Sequence, residues 1–256
     1  MSSPLADTGE RMMPALSGQH TFWEHVWRYR FAVRNTGPGR VLDVACGEGY
    51  GTASLAARGQ RQAVGVDLDP LTCEHARRTY GIEVHCASAL ELPFAESSFD
   101  TVVSFETIEH LDAPAAFIAE CARVLRPGGK LIISTPNRPV YAQRGPANAF
   151  HQQELSCEEF ATLLHAHFPH TTLHGQCVPV RGLFQKRGWS RLRRWALQCS
   201  APRSMREPTA TERTHIVPLI LEPARLLDRL DLFRVRPLSA KQLAQACYLI
   251  AVATKR

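Results

Sequence analysis

No stretch of this sequence approaches the roughly 20 consecutive apolar residues that a membrane-spanning helix needs, so a spanning protein is not expected. The opening segment, MSSPLADTGERMMPAL, has no basic flank running into an apolar stretch, which argues against a secretory signal. The expected location is cytoplasmic, with peripheral contact to a membrane as an addition. No C-x-x-C pair occurs among the eight cysteines, Cys46, Cys73, Cys86, Cys121, Cys157, Cys177, Cys199 and Cys247. That argues against a zinc ribbon or a dithiol redox site and leaves reduced thiols, mostly buried as small hydrophobes. No internal repeat or low-complexity tract is evident. Acidic residues are missing between Arg181 and Arg206, where Arg181, Lys186, Arg187, Arg191, Arg193, Arg194, Arg203 and Arg206 concentrate positive charge in a chain whose net charge is only +6. Such a local field can draw an anionic partner.

What is present is ordinary for a globular protein: 45% apolar and 21% charged residues in 256. That length suits one α/β domain with an added element. Short apolar runs at 40–46, 62–67, 83–87, 99–104 and 130–135 read as strands covered on both faces. Helical patterns fall between them at 50–58, 70–79 and 114–125, the pattern of a parallel sheet with helices on both sides. Asp112 is placed to cap the third of these, Pro114 sits in its first turn, and R-P-G-G stops it. Further on, Phe160, Leu163, Leu164 and Phe168 recur at helical spacing behind a Ser156/Glu159 capping-box pattern. TTLHGQCVPV and ACYLIAVAT then read as the last two strands, about sixty residues apart, which implies an insertion between them. The expected division is an N-terminal helical cap at 1–35, the α/β core at 36–180, a basic insertion or lid at 181–240 and the last core strand at 241–256.

The most informative stretch is Val41-Leu42-Asp43-Val44-Ala45-Cys46-Gly47-Glu48-Gly49-Tyr50-Gly51, a strand running into a glycine-rich turn and a helix. Glycines there permit a tight turn and close approach of a ligand to the backbone. Asp67 closes the next strand, 24 residues beyond Asp43, where a carboxylate can accept two ribose hydroxyls. Taken with VGVDLDP, LELPFAESSFDTVVS and VLRPGGKLIISTPN, this stretch resembles, over residues 40–136, the successive motifs of class I S-adenosylmethionine-dependent methyltransferases. The resemblance implies a Rossmann-like, seven-stranded, mostly parallel sheet with S-adenosylmethionine at the strand ends. It places Asp43 near the methionine part of the cofactor, Gly47 and Gly49 along it, Asp67 on the ribose, and Leu68 beside the adenine. Ser88 and Ala89 fall at the adenine amino group, where the family often has Asp at the position of Ser88. A dinucleotide-binding dehydrogenase domain shares the glycine turn and the carboxylate, but not the later motifs.

Methyl transfer from a sulfonium is an in-line displacement, so an acceptor must be placed and its proton managed. Glu106, Glu109 and His110 follow the fourth strand at i, i+3 and i+4 and share one face if the segment turns helically. Two carboxylates and an imidazole suit Mg²⁺ or another divalent cation that holds a hydroxyl and lowers its pKa. The E-x-x-E-H spacing resembles that of ubiquinone-pathway O-methyltransferases and small-RNA 3′-terminal 2′-O-methyltransferases. The second resemblance implies a histidine after T-P-N as fourth ligand, here His151. Two readings without metal stand beside this one: His110 as a general base with Glu109, and a structural Glu109–His110 pair.

The segment around Glu10–Pro14 and Trp23–Arg30 resembles the N-terminal cap of methyltransferases of bacterial surface-glycan and sugar-tailoring pathways, in which Arg28 or Tyr29 closes over the cofactor. The plainer alternative is an amphipathic helix packing Phe22, Val26 and Tyr29 onto the sheet. In the basic segment, Trp189, Leu192, Trp195 and Leu197 alternate with cations, which fits a substrate-facing lid, an anionic membrane surface or plain packing. The leading expectation is O-methylation of a sugar, a glycan precursor or a related small-molecule hydroxyl. RNA 2′-O-methylation, a polyprenylated catechol acceptor and a non-catalytic cofactor-binding regulator are the alternatives.

Overall fold

The computed structural model describes residues 12–14, 19–57, 59–143, 148–176, 216–221 and 234–256. A helix, α1 (Gln19–Asn35), precedes β1 (Gly39–Val44), α2 (Tyr50–Ala56), β2 (Arg61–Asp67), α3 (Pro70–Tyr80), β3 (Glu83–Cys86) and β4 (Phe99–Phe105). A 3₁₀ turn at Ile108–His110 leads to α4 (Pro114–Val124), β5 (Leu125–Pro136), α5 (Arg138–Tyr141), α6 (Cys157–His165) and β6 (His170–Gln176). A short helix, Ile216–Leu221, is followed by β7 (Val235–Pro237), a helical turn at Ala240–Leu243 and β8 (Tyr248–Thr254).

The strands form one sheet in the order β3-β2-β1-β4-β5-β8-β6-β7. The pairs from β3 to β5 are parallel, whereas β8 runs antiparallel to β5, and β6 to β8. The expectation of seven strands is corrected to eight. Val235–Pro237, inside the span read as an insertion, pairs antiparallel with β6 through Val235↔Gln176 and extends that edge. Three residues with one β-branched side chain and a proline are too short a run to read as a strand.

Local chemistry sets most boundaries. Asp69 caps α3 by accepting the Leu71 N–H, Pro70 occupies its first turn, and Gly81 ends it at φ +64°. Ser156 and Glu159 form both halves of the capping box on α6. Asp112 does not cap α4, because that helix begins one residue later than the reading requires and Ala113 takes the cap position without a side-chain bond. The R-P-G-G segment belongs to β5, which shifts register against β4 between the Phe99 and Thr101 pairings.

Helices cover both faces, which explains the continuous apolar strands. On one side Phe117, Ile118, Cys121, Phe160, Leu164 and Phe168 pack with Leu42, Val64, Val102 and Leu131. On the other, Val26, Tyr29, Ala32 and Val33 of α1 pack with Leu55, Val103, Phe105, Ile132, Ile216 and Ile220. Each fully buried large side chain contributes roughly 1.5–3 kcal/mol, so truncating Phe117, fully enclosed, removes one of the larger single contributions. Free cysteines 46, 73, 121 and 247 are buried, Cys157 is half-buried and Cys86 is exposed. Cys177, Cys199 and the basic 181–206 segment lie outside the described residues. Among the described residues no helix is long and apolar enough to cross a membrane.

Candidate active site

The carboxyl ends of β1 to β5 share one edge of the sheet, and two groups of side chains collect there. The first surrounds the glycine turn between β1 and α2. Gly47 adopts φ +54° and donates its N–H to Asp67 Oδ2 at 2.8 Å, so the turn is tied to the end of β2. Asp67 Oδ1 accepts the Asp69 N–H at 3.1 Å. Each oxygen keeps further acceptor capacity toward the edge. Gly49, at φ +89°, lies so near α3 that a Cβ would stand 2.7 Å from that of Ala76, which is why this position takes no side chain.

The ends of β2 and β3 are joined by the Ala87 N–H to Asp67 O bond (3.0 Å) and by the Cys86 thiol on Leu68 O (3.4 Å). Leu68, Ser88 and Ala89 therefore stand together beside Asp67. Leu68 is 73% exposed, an apolar surface suited to a planar base. Ser88 turns its hydroxyl inward on its own loop, accepting the Leu90 N–H at 3.1 Å.

Asp43 and Tyr29 sit deeper than the sequence suggests. Asp43 is fully closed from solvent and accepts Thr52 Oγ1 at 2.7 Å and the Tyr29 hydroxyl at 3.2 and 3.3 Å. Burial pushes its carboxyl up to about 7, against the opposing pull of the Thr52 and Tyr29 bonds, and Asp67 adds to the rise. Tyr29 packs in the core, in line with the amphipathic-helix alternative. Its ring lies against the α2 backbone, where a Cβ on Gly51 would meet it at 2.0 Å. Thr52 was missed; its only signal was a hydroxyl in the first turn after the glycines.

The second group forms at β4 and β5. Glu106 takes a left-handed conformation (φ +53°), and only Ile108–His110 turn helically. The expected single face for Glu106, Glu109 and His110 therefore does not form. Glu106 instead accepts the Ser134 hydroxyl at 2.7 Å and lies 3.8 Å from the buried Arg28 guanidinium. Glu109, His110 and His151 do converge, with one ligand atom from each within 4.8 Å of the others.

Loop pairing explains that convergence. The Gln152 and Gln153 N–H groups both donate to Glu109 O, at 2.8 and 3.1 Å, so His151 is delivered to the turn by backbone bonds. His110 Nδ1 is 3.0 Å from Phe150 O, and His151 Nδ1 is 2.8 Å from Glu154 Oε1. Nδ1 contacts of this kind select the tautomer whose Nε2 carries a lone pair. Tyr141 stacks on His151 with centroids 5.4 Å apart. Glu109 is fully buried, and its Oε1 has no hydrogen-bond partner among the described residues, while Oε2 accepts Thr135 at 3.5 Å. Burial, with Glu106 nearby, holds its carboxyl well above the usual range. Glu154 and Thr135 also escaped the sequence reading, although His151-x-x-Glu154 has recognisable i, i+3 spacing.

A mostly parallel sheet that ends in the antiparallel strands β8, β6 and β7, with helices on both faces, is the Rossmann-like fold of class I S-adenosylmethionine-dependent methyltransferases. Residues 42–133 match the methyltransferase domain family. A Mycolicibacterium smegmatis protein described as a probable S-adenosylmethionine-dependent methyltransferase is 40% identical over 64% of this chain and 65% of its own length. A Mycobacterium tuberculosis protein with the same description is 44% identical over 62% of this chain and 60% of its own length. A ubiquinone biosynthesis O-methyltransferase of Xanthomonas oryzae is 40% identical over 39% of the chain and 44% of its own length. The chain thus spans 65% and 60% of the length of these two mycobacterial relatives, less than two thirds of each. A solved SAM-dependent methyltransferase from Thermotoga maritima shares the fold with TM-score 0.60 at 19% identity, covering 93% of this chain and 91% of that one. Residues 42–133 thus match a methyltransferase domain, in a fold shared with solved S-adenosylmethionine-dependent methyltransferases.

Proposed function

We propose that the protein transfers the methyl group of S-adenosylmethionine to a hydroxyl of a sugar, a glycan precursor or a related small metabolite, with a divalent cation held by Glu109, His110 and His151. The observation that carries the reading is the buried, unpartnered Glu109 Oε1 beside two imidazoles whose Nδ1 atoms face oxygen acceptors. An orphaned buried carboxylate oxygen is costly unless a cation or proton meets it. One carboxylate with two imidazoles fits borderline ions such as Zn²⁺ or Mn²⁺, and Mg²⁺ less well. The oxygen acceptor is supported by relatives named O-methyltransferases, from Xanthomonas oryzae and Penicillium expansum, over parts of the chain.

Asp67 and the Gly47 turn would bind the nucleoside of the methyl donor, with Leu68 against its base. A bound cation would polarise the acceptor hydroxyl and lower its pKa. Glu154 and the Phe150 carbonyl orient the two imidazoles, and Thr135 steadies Glu109. In the displacement, the acceptor oxygen bonds to the methyl carbon as the carbon–sulfur bond breaks. Without a cation, the proton leaving the hydroxyl would go to His110.

The test is transfer of labelled methyl from S-adenosylmethionine to sugar nucleotides, glycans, catechols and RNA, with and without chelator. Transfer to a hydroxyl that chelation abolishes and added metal restores supports the reading. Chelator-resistant transfer that falls at low pH favours His110 as a general base.

A further inference from the structure

Two thiols meet where β2 and β3 end. Cys73, on α3, reaches Asp67 O and His85 O at 3.4 and 3.7 Å, and Cys86, the last residue of β3, reaches Leu68 O at 3.4 Å. Asp67 and Cys86 are partners in the parallel register, so all three carbonyls belong to one pair of strand ends. Burial pushes the Cys73 thiol up to about 11, with Asp67 and a hydrogen bond to the Cys86 thiol adding to the rise. The two sulfurs differ in access. Cys73 is fully buried, whereas Cys86 is the one exposed cysteine among the described residues. An exposed thiol beside a second one is the arrangement in which a first oxidation product meets a resolving thiol. Neither thiol takes part in the methyl-transfer step proposed above.

We propose that Cys73 and Cys86 form a peroxide-driven disulfide that weakens the end proposed for the nucleoside. In the first step the Cys86 sulfur attacks hydrogen peroxide. A sulfur–oxygen bond forms, the oxygen–oxygen bond breaks, and the second oxygen leaves as water with the thiol proton, giving a sulfenic acid. The Cys73 sulfur then attacks the Cys86 sulfur: the disulfide bond forms, the sulfur–oxygen bond breaks, and the oxygen leaves as water with the Cys73 proton. In all, the two thiols lose two electrons and one peroxide is reduced to two waters. Disulfide sulfurs have no proton to donate, so closure strips Asp67 O and His85 O of the Cys73 donor and Leu68 O of the Cys86 donor. It also fixes α3 to β3 beside the carboxylate that receives the Gly47 N–H. The effect on donor affinity rests on S-adenosylmethionine being the ligand; the disulfide itself does not.

The experiment exposes the whole reduced protein to hydrogen peroxide, blocks remaining thiols, and maps its peptides by mass spectrometry. A Cys73–Cys86 peptide pair should appear, lighter by two hydrogens than its separate halves and split by dithiothreitol. In Cys73→Ala the sulfenic acid has no resolving thiol, so dimedone should label Cys86. Cys86→Ser should give neither product, and it serves alone if the first variant does not fold. Calorimetric titration should show S-adenosylmethionine affinity falling on oxidation by about fivefold or more, the scale of one lost hydrogen bond. That affinity should recover on reduction and be indifferent to peroxide in Cys86→Ser. Passage of Cys86 to the sulfinic acid without a disulfide overturns the proposal, as does pairing of Cys73 with Cys46 or a Cys73–Cys86 disulfide with unchanged affinity. If the reduced protein binds no S-adenosylmethionine, the methyl-donor reading fails and the effect on affinity with it, while the peptide map still decides whether the pair forms.

Discussion

The two ends of the site edge are built differently. The end proposed for the nucleoside, from Gly47 to Ala89, is made by consecutive strand–turn–helix units, and its backbone N–H groups are bonded to a strand-end carboxylate. The end proposed for the acceptor draws Glu109 and His110 from a turn after β4 and His151 from a loop some forty residues later, joined by Gln152 and Gln153 bonds to one carbonyl. The first end is a property of the fold; the second depends on side chains that the fold only brings near. Binding of the methyl donor and turnover should therefore separate under mutation.

The largest separation is expected from His110→Ala, which should lower turnover by about a hundredfold or more while donor affinity changes less than about threefold. Steady-state rates beside calorimetry decide it, and a parallel loss of both would merge the two ends into one unit. Next comes a stability effect confined to the nucleoside end. Asp43 has its folded pKa raised above its unfolded value, so its contribution is present at low pH and lost as pH rises through about 7. From that shift, the apoprotein should lose up to roughly 4 kcal/mol between about pH 4 and pH 8. Asp43→Asn should flatten this part of the urea-unfolding profile, and an unaltered slope would show that the carboxyl titrates normally.

Asp67→Ala should weaken S-adenosylmethionine binding by about 2 kcal/mol, the scale of hydrogen bonds to a charged group, without restoring activity at saturating donor if the turn itself is distorted. Unchanged affinity in a folded variant would mean the nucleoside lies elsewhere. The smallest effect is expected from neutralising Arg191, Arg193 and Arg194: a several-fold loss of affinity for anionic acceptors or vesicles that vanishes at high salt. Indifference to both changes would leave that segment a solvated face.

Legibility in the sequence follows the same division. The core strands and helices, the glycine turn after β1 and the α6 capping box could all be read because each is encoded over a few adjacent residues. β7 could not, since its pairing with β6 is set by register across the chain and not by its own composition. The depth of Tyr29 and Asp43 was hidden because periodicity gives a helix face but not its distance from a strand end. Glu106 was misread for a local reason: a helical face was assumed where a residue at positive φ redirects the side chain toward Ser134 and Arg28. His151 was reached through family resemblance, and the bonds that deliver it are backbone bonds with no sequence signature.

The central proposal is that the donor is held at one end of this edge and that a cation on Glu109, His110 and His151 would activate the acceptor at the other. Its most direct test is turnover and donor affinity measured on the same exhaustively chelated sample, with elemental analysis before and after. The account predicts a stoichiometric metal before chelation, unchanged S-adenosylmethionine affinity afterwards, and turnover lost until metal is returned. Full turnover in a sample shown to contain no metal would contradict it.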